Sequence, residues 1–252
     1  MRILISNDDG IHAPGILELA KAALALGEVF VVAPDQQKSA SSHGISLHRP
    51  LYVNDVDLGL PNTKALSVSG TPVDCVKWAM VMIGGEHPFD IMLSGINEGA
   101  NLATDVLYSG TVAAAGEAAL QGIPAVAFSI VGPPYPFADA AATAVQIASQ
   151  VQAATLPPDT FLNVNFPAEN ISSAAWRITE LGARGYRNDF MQVMDAFGQV
   201  YYRHAGEELE ESGGTDTDVK ALRRREVSIT PLRYRFTNEE VFDSLKGQIA
   251  KP

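Results

Sequence analysis

Apolar positions in the first two thirds of the chain alternate between two textures. Short unbroken runs at Ile3-Leu4-Ile5, "VFVVAP" (29–34), "DIMLSGIN" (90–97), "PAVAFSI" (124–130) and "TFLNVNFP" (160–167) predict strands buried on both faces. Between them lie segments with helical spacing. "PGILELAKAALALG" (14–27) puts Ile16, Leu17, Leu19, Ala20, Ala23 and Leu24 on one face and Glu18 and Lys21 opposite, with Pro14 suited to the first turn and Gly27 to the stop. "GTVAAAGEAALQG" (110–122) and "ADAAATAVQIASQV" (138–151) read as further helices, and "SVSGTPVDC" (67–75) as another helix start, with Thr71 or Ser69 as cap. Strands alternating with helices predict an α/β fold: a Rossmann-like, mostly parallel sheet with helices on both faces.

After about residue 174 the texture changes. "AWRITELG", "GQVYYRHAG" and "EVSITPLRYRF" read as β segments joined by polar turns, and "NEEVFDSLKGQIA" as a closing helix. With no linker before it, this part is expected to be a β-rich extension (174–252) of a single α/β domain spanning 1–252. Residues 223–226, "RRRE", read as a solvated turn rather than an anion patch, because acids flank them.

Composition narrows the function. The 252 residues carry a formal net charge of -11, which argues against a nucleic acid polymer as partner, since gripping one needs clustered Lys and Arg. A small phosphorylated substrate is compatible with this balance where a bound cation reverses the local field. The single cysteine, Cys75, rules out an internal disulfide and reads as a small buried hydrophobe. With no basic-then-apolar leader and no membrane-spanning run, the expectation is a soluble cytoplasmic protein, in which Asn170-Ile171-Ser172 is a chance glycosylation pattern. The first strand is not followed by G-x-G-x-x-G, so NAD or FAD binding is disfavoured.

Chemistry concentrates at the predicted carboxyl ends of strands, where open parallel sheets bind ligands. Asn7-Asp8-Asp9-Gly10 follows the first strand, the loop holding Ser39 follows the second, Asn97 ends "LSGIN", and Ser109-Gly110-Thr111 opens a helix. Two adjacent carboxylates repel, and partial burial would force one to keep a proton. A divalent cation favours both charges, and Gly10 allows the turn that aims both acids one way. Ser39 and Asn97 add oxygen, so the expected cofactor is one hard cation per subunit, Mg²⁺ or Mn²⁺ with Ca²⁺ as an alternative, rather than Zn²⁺. The Ser-Gly-Thr helix start offers free N–H groups and hydroxyls to a phosphate. His12 and His43 sit in polar loops and are minor candidates for general acids.

The segments "ISNDDGIHAPG", "VVAPDQQKSASSHGIS", "SGTPVDCV", "LSGINEGANLATDVLYSGTVAAAGEA", "LNVNFP" and "VSITPL" resemble, in order, the motifs of the SurE family of stationary-phase survival proteins, which are metal-dependent nucleotidases. The resemblance implies a cation held by Asp8, Asp9, Ser39 and Asn97, with the phosphate on Asn97 and on the Tyr108–Thr111 segment, through Ser109, Gly110 and Thr111. It implies hydrolysis of nucleoside monophosphates, activity of some members on short polyphosphate, and a homodimer or homotetramer built through the β-rich part. Asp8 and Asp9 are then the catalytic acids, Asp8 nearest the chemistry as orienter or base for a water, or as nucleophile. Two positions depart from the family pattern: Ala103 stands where glycine is expected, and Arg203 where an aromatic is expected. Two other readings use the same loops. A non-catalytic nucleotide- or cation-binding module would bind without turnover, and an aspartyl-phosphate phosphatase of the haloacid-dehalogenase type would space its acids as D-x-D, unlike the adjacent pair here.

Overall fold

The computed structural model describes residues 1–154, 156–183, 186, 187, 189–208 and 214–249. Strands β1 (Arg2–Ser6) and β2 (Glu28–Pro34) flank helix α1 (Pro14–Ala23). Then come β3 (Val53–Val56), β4 (Thr63–Val68), α2 (Pro72–Met82), β5 (Ile91–Glu98), α3 (Gly110–Leu120), β6 (Ala125–Ile130), α4 (Phe137–Ala153) and β7 (Thr160–Phe166). The last part holds β8 (Trp176–Ile178), β9 (Tyr186–Arg187), β10 (Phe190–Met194), β11 (Val200–His204), β12 (Glu207–Glu208), α5 (Asp218–Arg223), β13 (Val227–Arg233) and α6 (Glu239–Ile249).

The main sheet has nine strands in the order β3-β4-β2-β1-β5-β6-β7-β13-β8. From β4 to β7 all neighbours are parallel, while β3 on β4 and β13 on β7 are antiparallel. Side chains alternate across the pleat, so each strand feeds two cores. Ile3, Ile5, Leu93, Phe128 and Val164 pack with α1 and α4 on one face. Leu4, Val32, Met92, Ala127 and Phe161 pack with α2 and α3 on the other. The expected α/β fold is therefore present, and β8 and β13 of the extension complete its sheet.

Six elements went unread in the sequence, among them the two-residue β12. β3, β4 and β10 mix polar and apolar positions, so no buried run marks them, and only register with β2, β4 or β11 makes them strands. β9 spans two residues and α5 six, too short for a periodic signal. At α2 the cap is Thr71: its hydroxyl accepts from the Asp74 amide while Asp74 accepts from the Thr71 amide, a closed capping box. Ser69 instead accepts from the Tyr52 amide. Cys75 is fully buried on the inner face of α2. In the 223–226 turn, exposed Arg224 pairs with Glu226 at 2.9 Å.

The strand order reverses between β1 and β5. The chain leaves β1 toward β2 and β4, then returns to lay β5 on the other side of β1. Such a switch opens a crevice at the carboxyl ends of the two strands. Ser6 and Glu98 end those strands, and Asp8, Asp9 and Asn97 lie at or just beyond these ends.

Candidate metal and phosphate site

The turn after β1 is built by Asn7. Its fully buried side chain donates to the Gly10 carbonyl at 2.9 Å and accepts from the Gly10 amide at 3.2 Å. Gly10 takes φ +102°, a conformation that side chains resist. This closed turn sends Asp8 and Asp9 to one side.

The two acids have different surroundings. Asp8 is buried, and both its oxygens meet Thr111: the hydroxyl donates to Oδ1 at 2.6 Å and the amide to Oδ2 at 3.2 Å. Burial raises its pKa against these hydrogen bonds, which lower it. Asp9 is more open; its Oδ2 accepts from the Glu98 amide at 3.1 Å and its Oδ1 from Gln37 at 3.4 Å. Burial first, then the charges of Asp8 and Glu98, push its pKa up to about 6. Both carboxylates sit where a positive charge would stabilise them.

Asn97 arrives by an irregularity in β5. Ser94 pairs with Ala127 and Asn97 with Ser129, so two residues of β5 face one of β6. This bulge re-aims the strand's end. The Asn97 amide nitrogen donates to the Gly99 carbonyl at 2.8 Å, which leaves the amide oxygen for another partner. Ser39 lies exposed on the loop after β2. Asp8, Asp9, Ser39, Asn97 and Ser109 line one pocket of about 250 Å³, together with Gln37, Glu98, Asn101, Asp105 and Tyr108. Thus residues from four separate segments meet, as the sequence leads one to expect.

The lining carries four carboxylates and no Lys or Arg. A phosphate would be repelled without a cation between it and the acids. Among the described residues, no three His, Cys, Asp or Glu side chains converge as ligands. A cation here would thus draw on Asp8 and Asp9 plus the neutral oxygens of Ser39 and Asn97, a donor set that fits a hard divalent ion. A larger cleft of about 610 Å³ lies on the other side of the 100–102 segment, lined by Leu102, Val131, Val219 and Leu222 among others. It is also lined by Glu169, Arg223 and Arg225 and holds no acid pair.

At the start of α3, Ser109 is the N-cap, its hydroxyl accepting from the Val112 amide at 3.1 Å. Gly110 lies hard against Asp8: a Cβ there would sit 2.9 Å from the Asp8 Cβ and 3.0 Å from its Oδ2. The hydroxyl of Thr111, read in the sequence as a phosphate donor, is spent on Asp8. The helix start therefore orients the carboxylate as well as facing the pocket.

Several supporting residues escaped the sequence reading. Asn101 is held at both backbone groups by Asn165 and Asn163 of β7, and its side chain donates to Ser129 at 2.7 Å. Asp218 of α5 accepts from the Ala103 and Gly182 amides, each at 2.8 Å. Ala103 stands at φ +50°, the left-handed region that explains why glycine is expected there. His43 faces Glu117 at 2.8 Å, and His12 is exposed. Two asparagines in an otherwise apolar strand were the available signal, since buried amides need partners.

These features define a class: an α/β protein with a paired-carboxylate pocket at the switch point of a mostly parallel sheet. The family model described as "Survival protein SurE" matches residues 3–188. The chain is 45% identical to the 5'-nucleotidase SurE of Heliobacterium modesticaldum over 98% of its length and 93% of the relative's. It is also 45% identical to that of Carboxydothermus hydrogenoformans, over 98% and 95%. The crystal structure of the SurE protein from Aquifex aeolicus superposes with a TM-score of 0.85 at 37% identity, covering 98% of this chain and 99% of that one. The chain belongs to the SurE family.

Proposed function

We propose that the protein is a divalent-cation-dependent phosphomonoesterase that hydrolyses nucleoside monophosphates to nucleoside and phosphate. The observation that carries this is the meeting, in one acid-lined pocket, of the Asp8–Asp9 pair with the start of α3. Relatives named 5'-nucleotidase across nearly their whole length support the nucleotide as substrate. A bound cation would supply charge neutralisation, polarisation of the phosphoryl group and an activated water. Asp8, Asp9, Ser39 and Asn97 would hold it, with Mg²⁺ or Mn²⁺ the ions best suited to such oxygens.

The chain's own groups do the rest. Thr111 locks Asp8 in one orientation, so its outer lone pairs are aimed before substrate arrives, either at the cation or at the proton of the attacking water. Ser109, Gly110 and Asn97 border the space left for the phosphate, where the positive end of the α3 dipole favours its charge. A short polyphosphate presents the same terminal phosphoryl group and is included as a substrate.

Among the described residues no helix is long and apolar enough to cross a membrane, and we place the protein in the cytoplasm. We read residues 1–252 as one unit whose 174–252 part also serves assembly into a homodimer or homotetramer. The apolar side chains that β10 and β11 leave in water support this, with Phe197 at their turn 96% exposed.

The test is phosphate release from a panel of nucleoside 5'- and 3'-monophosphates and polyphosphate, with Mg²⁺, with Mn²⁺ and with EDTA. EDTA should abolish turnover, and Asp8→Asn should reduce it at least about 100-fold at saturating metal. Full activity in EDTA overturns the metal reading, and binding without turnover would leave a ligand-binding module.

A further inference from the structure

The loop that carries Ser39 is long and irregular, spanning residues 35–52 between β2 and β3. Ser39 itself is exposed, and its neighbours Ala40 and Ser42 stand at φ +56° and +51°. Left-handed backbone is unfavourable at a non-glycine residue, so the loop keeps this shape only if anchored. Most anchors involve backbone. The Lys38 amide donates to the Asp8 carbonyl at 2.7 Å, the Ser42 amide and hydroxyl donate to the Tyr108 and Leu107 carbonyls, and Thr71 donates to the Gly44 carbonyl. The Ser46 amide donates to Asp74 at 3.0 Å.

One anchor differs in kind. Glu117 lies buried on α3, seven residues after Gly110 and so on the same helical face, which runs beneath the loop. Its two oxygens have separate partners. Oε1 accepts from Lys77 of α2 at 2.9 Å and from Gln121 at 2.7 Å, tying the two helices together. Oε2 meets His43 Nε2 at 2.8 Å. His43 also packs edge-on against Tyr234, with ring centroids 4.9 Å apart. Helix packing alone accounts for Oε1 and leaves Oε2 unexplained.

We propose that Glu117 is a positioning residue: through His43 it clamps the Ser39 loop onto the helix whose first turn faces Asp8. This rests on the reading of Ser39 as a cation ligand. The clamp makes the loop and the phosphate-facing helix one rigid body, so the serine oxygen is held in place before the ion arrives. Outer partners of metal ligands are worth roughly 10–100-fold in affinity or activity.

The full-length protein tests this through Mn²⁺ binding measured by calorimetry and amide hydrogen exchange measured without metal. Glu117→Gln and His43→Ala should each weaken Mn²⁺ binding about tenfold and speed exchange at Ser42 and Ser46. Lys77→Met, which breaks only the helix–helix tie, should leave both unchanged. Glu117→Gln added to Ser39→Ala should weaken binding little further, because both act through one ligand. Unchanged affinity and exchange in folded Glu117→Gln and His43→Ala would overturn the proposal. So would equal losses in Lys77→Met, or losses that add fully to those of Ser39→Ala. A wild-type protein that bound no Mn²⁺ would overturn the site reading instead, while exchange at Ser42 and Ser46 would still decide whether Glu117 holds the loop.

Discussion

Strands β1 and β11 are each five residues long, and both read as β from sequence. Ile3 to Ser6 of β1 are fully buried, whereas every residue of β11 is exposed. β1 has a parallel neighbour on each edge and a helix layer on each face; among the described residues β11 pairs only with β10. The strand propensity is comparable and the burial opposite, because burial comes from neighbours. The β1 region spends its apolar surface inside the chain and turns its carboxyl end into a site. The β10–β11 region, with Phe190, Met194, Phe197 and Tyr202 in water, keeps its apolar surface for another copy in the reading given above.

The sharpest way to probe that contrast is to truncate one aromatic from each region. Phe128 of β6 is fully buried and stacks on Phe166 at 5.9 Å, so Phe128→Ala should lower the unfolding free energy by about 3–5 kcal/mol in urea denaturation. Phe197→Ser combined with Tyr202→Ser should leave the far-UV circular dichroism unchanged and reduce the mass seen by light scattering toward that of one chain. An unchanged mass would show that the hairpin is not the assembly surface.

A smaller effect separates the regions by pH. At Glu117 burial raises the pKa, but hydrogen bonds from His43, Lys77 and Gln121 together with the Lys77 charge outweigh it and bring it from 4.5 down to about 2. A carboxylate depressed in the folded state stabilises above its unfolded pKa, and this contribution is lost as pH falls. Stability of the α2–α3 side should therefore decline between about pH 4.5 and 2, more steeply in wild type than in Glu117→Gln. Tyr234, whose phenol burial and the Glu117 charge push up to about 12, is silent in that range. Equal slopes for the two proteins would discount the buried carboxylate. Smallest of all, Ala103→Gly should stabilise by about 1 kcal/mol in thermal unfolding, because it relieves left-handed backbone beside Asn101.

Much of the frame was legible because β1, β2, β5, β6 and β7 are continuous apolar runs, and such runs have few other places to go. The acid pair was legible for a related reason: two adjacent carboxylates at the end of a buried strand demand compensation. Glu117, Asn163, Asn165 and Asp218 were not legible as supports. Each gains its meaning from a partner 62 to 115 residues away, farther than any local pattern reaches. Thr111 shows the intermediate case. Its place at a helix start could be read, but the bond from its hydroxyl to Asp8, 103 residues earlier, could not.

Local chemistry thus settled the buried strands β1, β2, β5, β6 and β7 and the helices between them, and that Asp8-Asp9 calls for a counter-charge, since hydrophobic period and carboxylate repulsion act over a few residues. The order of the strands decided everything that depends on convergence. By reversing direction between β1 and β5, the sheet brings Asp8, Ser39, Asn97 and Ser109 around one pocket. It also lets a buried glutamate reach the loop of a distant strand, because electrostatic and hydrogen-bond partners are chosen by distance in space and not along the chain.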